Sequence, residues 1–390
     1  MVYAFNWYNV GAVLPLVGAG LGIGTARLGI VLGAFLAGAG IFQLPAGLAA
    51  IRWGNRRVCL SALVIMGAFA LASAFSPNWI VLVGLRFGAG AGAAFFFAPA
   101  LGLVASYYPE GRRGPVIGLY NAGFSVGAGV GILAGAFVGD AYGWPAALAV
   151  GGIALLVSAI GAARFLPQGS TVPLPSSRPE VARTALRLLR SRTLWALALG
   201  LTGLWASGYI LAQYTVEFAV SVHPGWSLPV AAGLPTLLIL MEVVGGPLGG
   251  WLSERFRGRL VLLIGWGVPV GAVIFLIPYV PIAGLVAIFA FYGLGQAVAF
   301  ANLYVLPSYL PGIEPETLAF GLALINGIQI LLGSACAIAF GFIAADSGYT
   351  VAWLFAGGIS LATLPFLVGA KHLLHDRDTV AARAGVPPAS

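Results

Sequence analysis

Apolar residues run along this chain in stretches of about twenty, separated by short gaps where Arg, Gly, Pro and Asp collect. A bilayer core about 30 Å thick needs about 20 mainly apolar residues for each helical crossing. On that measure the pattern predicts twelve spans: 3–22, 28–51, 58–76, 79–107, 115–139 and 144–165, then 193–221, 228–251, 260–280, 283–308, 317–345 and 350–370. The runs are too long and too uniformly apolar for the alternating strands of a membrane barrel. One long polar interruption, Gly169 to Arg192, opens with Pro173, Pro175 and Pro179 and continues with Arg183, Arg187 and Arg190 at helical spacing. It reads either as a short basic helix on the membrane surface or as a solvated linker. The expected organisation is an N-terminal six-helix bundle (1–166), a cytoplasmic linker (167–192), a C-terminal six-helix bundle (193–371) and a cytoplasmic tail (372–390).

Composition agrees. The chain is 60% hydrophobic and 8% charged, whereas soluble domains carry about a quarter charged residues. Its 57 glycines suit helices that approach closely in lipid. A net charge of +8 raises the possibility of a nucleic-acid partner, but the basic residues are scattered through the short gaps. With the N-terminus placed inside, cytoplasmic segments hold 17 of the 19 Lys and Arg, leaving Arg27 outside and Arg86 within a span. That asymmetry predicts a multi-pass cell-membrane protein with both termini cytoplasmic and no nucleic-acid partner. Cys59 and Cys336 lie in apolar stretches, so no disulfide framework or metal site is expected. No basic signal region precedes the first apolar run, so Met1 to Gly18 reads as a retained span. No P-loop is present, and no cofactor is expected.

The two halves echo each other. Gly47-Leu-Ala-Ala-Ile-Arg-Trp-Gly-Asn-Arg-Arg57 follows span 2, and Gly250-Trp-Leu-Ser-Glu-Arg-Phe-Arg-Gly-Arg259 follows span 8. Asp140-Ala-Tyr-Gly-Trp144 and Asp346-Ser-Gly-Tyr349 precede spans 6 and 12, and Asn121 pairs with Asn326. The offsets are 203, 206 and 205 residues, the mark of a duplicated six-span unit.

These residues resemble the major facilitator superfamily over essentially the whole chain. The family's loop after span 2 typically reads G-x-L-a-D-r-x-G-r-r; here Gly47, Arg52, Gly54 and Arg56 match, with Ile51 where the acid belongs. The second copy keeps an acid, Glu254, between Gly250 and the basic pair Arg255 and Arg259. Arg86-Phe-Gly-Ala-Gly-Ala-Gly92 looks like the R-x-x-x-G signature of span 4, and Tyr108-Pro-Glu-Gly-Arg-Arg-Gly114 like the loop that follows it. The resemblance implies an all-α fold of two pseudo-symmetric six-helix bundles that rock about a central cavity. Spans 1, 4, 7 and 10 would line that cavity, helped by 2, 5, 8 and 11. The loop motifs would form a conformational latch, an acid facing a helix N-terminus of the opposite half, where partial positive charge gathers. With Ile51 replacing one acid, Glu254 is expected to carry more of that latch.

Ionisable groups within spans are functional candidates by default. Glu242 lies roughly 21 Å along span 8, at 1.5 Å per residue. A carboxylate there costs about 2.5–3.5 kcal/mol unless protonated or paired, which makes it a candidate proton carrier. The alternative is a structural Glu bonded within Gly245-Gly-Pro-Leu-Gly-Gly250. Arg86 is either a second proton-coupling group, as its family counterpart often is, or a packing Arg bonded to carbonyls. Glu217 is expected to face water. Among the uncharged polar residues, Asn9, Gln43, Asn121, Tyr209, Gln213, Tyr214, Gln296, Asn302, Asn326 and Gln329 are candidates for a substrate cavity, because polar side chains in lipid turn inward. Gln213 and Gln296 rank first, with Trp205 and Phe95 to Phe97 as possible walls. Gly123-Phe-Ser-Val-Gly127 matches G-x-S-x-G, but it lies in a span and no His is near in sequence, so no hydrolase is read from it.

The expectation is therefore a secondary active transporter, not an enzyme. Its partners would be the bilayer, protons and a small neutral or weakly ionised organic solute, and the chain would act as a monomer. Spans 2 and 8 lack Arg and Lys, which disfavours a strongly anionic substrate. Gly123, Gly127 and Gly131 partly match an exporter pattern whose Pro is here Ala128, so drug or metabolite export is an alternative. A non-transporting sensor on the same scaffold is another.

Overall fold

The computed structural model describes residues 1–108, 110–166, 190–255, 259–303 and 315–368. The expected linker up to residue 189 and the expected tail lie outside the described residues, as do the side chains of Glu254, Arg259 and Asn302. All regular structure among the described residues is helical. Span 1 comprises Val2–Ala12 and Leu14–Leu21, span 2 Thr25–Ile41 and Gln43–Trp53, span 3 Asn55–Ser73, and span 4 Trp79–Ala94 and Phe97–Ser106. Span 5 is Glu110–Tyr142 and span 6 Trp144–Phe165. Span 7 joins Arg192–Gly200 to Thr202–Val222, and span 8 is Leu228–Arg255. Span 9 is Arg259–Ala272, tightening to a 3-10 helix over Val273–Tyr279, and span 10 is Ile282–Leu303. Spans 11 and 12 share Pro315–Ala362, which turns back at Gly348.

Nine described helices are long and apolar enough to cross a membrane. One of them, Ala323–Val368, contains the Gly348 turn and so crosses twice. Leu263–Tyr279 is a shorter apolar helix, and the first span, which carries Asn6 and Asn9, falls outside the nine. The arrangement is consistent with twelve crossings. Phe137, Val157 and Ile160 are exposed on its outside, as lipid-facing side chains must be.

The helix breaks have local causes. Pro15, Pro45 and Pro99 each follow a break by a few residues, because proline cannot donate to the carbonyl four residues earlier and crowds it. Span 7 breaks at Leu201 without a proline; there the Thr202 hydroxyl donates back to the Ala198 carbonyl at 2.8 Å, an interaction that bends helices.

Packing repeats between the halves. Spans 2 and 4 pack together as spans 8 and 10 do, and spans 1 and 5 as spans 7 and 11 do. A Cβ on Gly90 would strike the Phe35 carbonyl, and one on Gly293 the Leu238 carbonyl. Both members of this contact are displaced by the same 203 residues as the loop motifs. Gly143 and Gly348 make the equivalent turns, with φ of 83° and 84° and the same ψ of 166°, a region that glycine alone enters freely. The halves meet where span 2 packs on span 11, span 5 on span 8 and span 1 on span 7.

Candidate translocation site

Alternate crossings put Met1, Gly54, Leu166 and Arg255 at one membrane face, termed here the terminal face, and Gly22, Gly143, His223 and Gly348 at the opposite face. Near the opposite face the halves are joined directly. The Thr25 hydroxyl donates to Glu217 at 2.9 Å. The Tyr214 hydroxyl donates within its own half to the Ala337 carbonyl at 2.7 Å, and it crosses to the first half by packing where a Cβ on Gly29 would lie. Lower down, the Ser334 hydroxyl donates to the Gly33 carbonyl at 2.8 Å. Glu217 therefore departs from the expected water-facing position: it is half-buried and bonded across the halves. Tyr214 is wholly buried in this contact.

Deeper between the halves, Gln213 donates to the Trp7 carbonyl at 2.8 Å. Tyr209 stacks on Trp205, with ring centroids 5.9 Å apart and planes 6° from parallel, and meets Tyr8 at 5.9 Å. Arg86 places its guanidinium 4.6 Å over the Phe35 ring. Gln43 is buried against Gly327 of span 11. Between spans 5 and 8 the Ser125 hydroxyl donates to Oε2 of the half-buried Glu242 at 3.1 Å.

Other candidates turn into their own half. The Asn9 amide lies beside Gly151 of span 6, where Asn6 also donates to the Gly151 carbonyl at 3.0 Å. Gln296 donates to the Leu204 carbonyl at 3.2 Å and Gln329 to the Ala198 carbonyl at 3.4 Å, both in span 7. These amides tie helices within a bundle. Asn326 is half-buried, and Asn121 is exposed.

Of the latch residues, Arg56 donates to the Ala163 and Leu166 carbonyls at 2.9 and 3.3 Å. It thus caps the C-terminus of span 6 in its own half, where a cation is favourable. Arg52 and Arg255 lie over the neighbouring rings of Trp53 and Trp251, and Gly54 holds a positive φ of 82°. Gly47 and Gly250 have no close neighbour at their Cβ positions. The sequence reading missed Thr25, Ser334 and Tyr8, and it set Ser125 aside with the G-x-S-x-G match. Nothing in hydropathy marks that serine; only its position opposite span 8 does.

Arranged this way, the site offers a carboxyl shared between halves, a buried cation and a stack of aromatic faces. No group of three or more His, Cys, Asp or Glu able to hold a metal occurs among the described residues.

Comparison with known proteins places this architecture. The sequence profile of the Major Facilitator Superfamily matches residues 1–323. The 4-hydroxybenzoate transporter PcaK of Pseudomonas putida is 28% identical over 289 residues, 65% of this chain and 63% of that protein. The puromycin resistance protein pur8 of Streptomyces alboniger is 29% identical over 346 residues, 83% of this chain and 63% of that protein. The uncharacterized MFS-type transporter YfhI of Bacillus subtilis is 23% identical over 391 residues, 96% of this chain and 92% of that protein. The match thus spans less than two thirds of the PcaK and pur8 chains. Among solved structures, an inward-facing, occupied bacterial homolog of the human lysosomal transporter Spinster superposes with a TM-score of 0.71 at 20% identity, covering 98% of this chain and 95% of that one.

Proposed function

The chain belongs to the Major Facilitator Superfamily, whose members are membrane transporters and not enzymes, and from that premise we propose that it moves a small, weakly ionised organic solute by proton-coupled alternating access. The observation that carries the reading is the Ser125–Glu242 hydrogen bond. Like Thr25–Glu217 it is a contact in which an ionisable group of one half is held by a hydroxyl of the other, but it lies near the middle of spans 5 and 8 instead of at a span end, at a surface that must part when the cavity opens.

A carboxylate in the membrane interior is costly unless paired or protonated. When the halves close, Ser125 stabilises the Glu242 carboxylate; when they part, that bond is lost and taking up a proton offsets the loss. Proton occupancy is thereby linked to which face is open. The excess of Lys and Arg assigns the terminal face to the cytoplasm, so the Thr25–Glu217 and Tyr214 contacts close the external side. The chain works as a monomer in the cell membrane. The PcaK likeness extends that class to an organic acid carrying a single negative charge at neutral pH. The likeness to pur8 supports a second reading, export of a drug or metabolite through the same cavity.

The test is solute-driven proton movement in proteoliposomes with a trapped pH dye, screening pooled metabolites against wild type and Glu242→Gln. A pH change in wild type that the variant loses supports coupling through Glu242. Uptake of labelled solute by wild type with no accompanying proton movement overturns it.

A further inference from the structure

Arg86 is the one charged residue among the fully buried side chains described, at 1% exposure. Its Nε is enclosed without a hydrogen-bond partner, and the ionisable side chain that acts on it is Tyr209. The Phe35 ring beneath the guanidinium attracts a cation but accepts none of its in-plane N–H bonds. Buried charges are ordinarily paired, so this site lacks an anion.

Its surroundings are polar and closely enclosed. Tyr209 is 2% exposed, and its hydroxyl lies beside the Gln213 side chain without reaching good hydrogen-bond geometry. Oε1 of Gln213 is buried against Gly11. Trp205 stacks on Tyr209 from one side and Tyr8 meets it from another. Both are only half-buried. Spans 1, 2, 4 and 7 converge here.

We propose that Arg86, Tyr209, Trp205 and Tyr8 form a recognition site for an aromatic monocarboxylate, a deepening that rests on the transport reading above. The substrate carboxylate pairs with the guanidinium fork, whose geometry matches it, and accepts from the Tyr209 hydroxyl. The substrate ring lies against Trp205 and Tyr8, where offset or edge contacts between aromatic faces are favourable. A single carboxylate is specified because Arg86 is the only Lys or Arg in the interior of a predicted span, Arg164 standing at the very end of span 6; a second negative charge has no cation to meet. With a proton on Glu242, the cargo crosses as a neutral pair. The competing structural role, a packing Arg held by Phe35 and Tyr209 alone, requires no ligand and predicts no carboxylate selectivity.

The experiment is isothermal titration of the full-length protein in lipid nanodiscs with benzoate, phenylacetate, cyclohexanecarboxylate and benzamide. Expected is binding of benzoate or phenylacetate at least tenfold tighter than cyclohexanecarboxylate or benzamide. Arg86→Gln then weakens aromatic-acid binding at least tenfold, and Trp205→Leu narrows the preference over cyclohexanecarboxylate to under about threefold. Should Arg86→Gln fail to run as a single species on size exclusion, Tyr209→Phe provides the same test, with a loss of threefold or more. Equal binding of benzamide and benzoate overturns the proposal, as does unchanged benzoate affinity in every variant that folds. Wild type that binds no aromatic acid yet takes up another solute in proteoliposomes defeats this inference and leaves the transport reading standing. Wild type that takes up no solute at all defeats the transport reading itself.

Discussion

The Thr25 hydroxyl donates to Oε1 of Glu217 at 2.9 Å, joining the start of span 2 to the end of span 7 across the two halves. The second Glu217 oxygen is buried beside the Tyr349 hydroxyl of its own half, so the Thr25 bond is the carboxyl's polar tie to the first half. A hydrogen bond to a charged group contributes about 1.5–3 kcal/mol, enough to shift a two-state equilibrium by tenfold or more. Thr25→Val is therefore expected to open the face carrying Gly22 and Gly348. Maleimide labelling of a cysteine introduced near Gly22 should rise several-fold. Labelling that stays at the wild-type rate would show that the bond follows closure and does not hold it.

The close approaches at Gly90 and Gly293 make a paired prediction. In each, a Cβ would meet the backbone carbonyl of the neighbouring span, and backbone cannot swing aside as a side chain can. Overpacking typically costs about 1–3 kcal/mol. Gly90→Val and Gly293→Val should each lower the thermal midpoint of the detergent-solubilised protein by several degrees, and by similar amounts. A control, Gly84→Val, has open space at its Cβ position and should leave the midpoint unchanged. A large loss in one half alone would break the structural equivalence drawn between the two contacts.

These two cases also show what a sequence can disclose. The spans were legible because a bilayer imposes a length, and the repeat because loop motifs recur at an offset that the Gly90–Phe35 and Gly293–Leu238 contacts share. Three helix breaks fall just before Pro15, Pro45 and Pro99, inside spans that hydropathy draws as continuous. The break at Leu201 has no such mark, since a threonine bends a helix only when its hydroxyl turns back on the chain. The direction in which each polar side chain faces was the least legible. In helices that are apolar all round, hydropathy gives no rotational phase, so Asn9, Gln296 and Gln329 look like cavity residues but point into their own bundles. Ser125 looked like part of a spurious motif and proved to be the partner of Glu242.

Ser125→Ala separates the carboxyl from its cross-half partner while leaving the ionisable group in place. Proton-linked uptake should slow by roughly ten- to 150-fold, as expected for losing a hydrogen bond to a charged group of about 1.5–3 kcal/mol. Glu242→Gln should abolish proton movement altogether. Measured in the same proteoliposomes, equal and complete loss in both variants would mean that Ser125 does more than hold the carboxylate. No loss with Ser125→Ala would mean that the bond is incidental to coupling.

The terminal-face loops are asymmetric in a way that can be tested directly. Glu254 stands 203 residues beyond Ile51, in the copy of the motif that kept its acid. An acid near a helix N-terminus of the other half contributes about 0.3–1 kcal/mol, and up to about 2 when partly buried; isoleucine contributes none of this. Glu254→Gln should favour opening at the terminal face, raising the labelling of cysteines introduced beside the span 2 and span 8 loops by about twofold to tenfold. Ile51→Asp should act in the opposite direction by supplying the missing charge, and combining it with Glu254→Gln should restore part of the wild-type protection. Unchanged labelling in Glu254→Gln would remove the latch role from that residue, and increased labelling in Ile51→Asp would show that the first loop has no helix end to receive an acid.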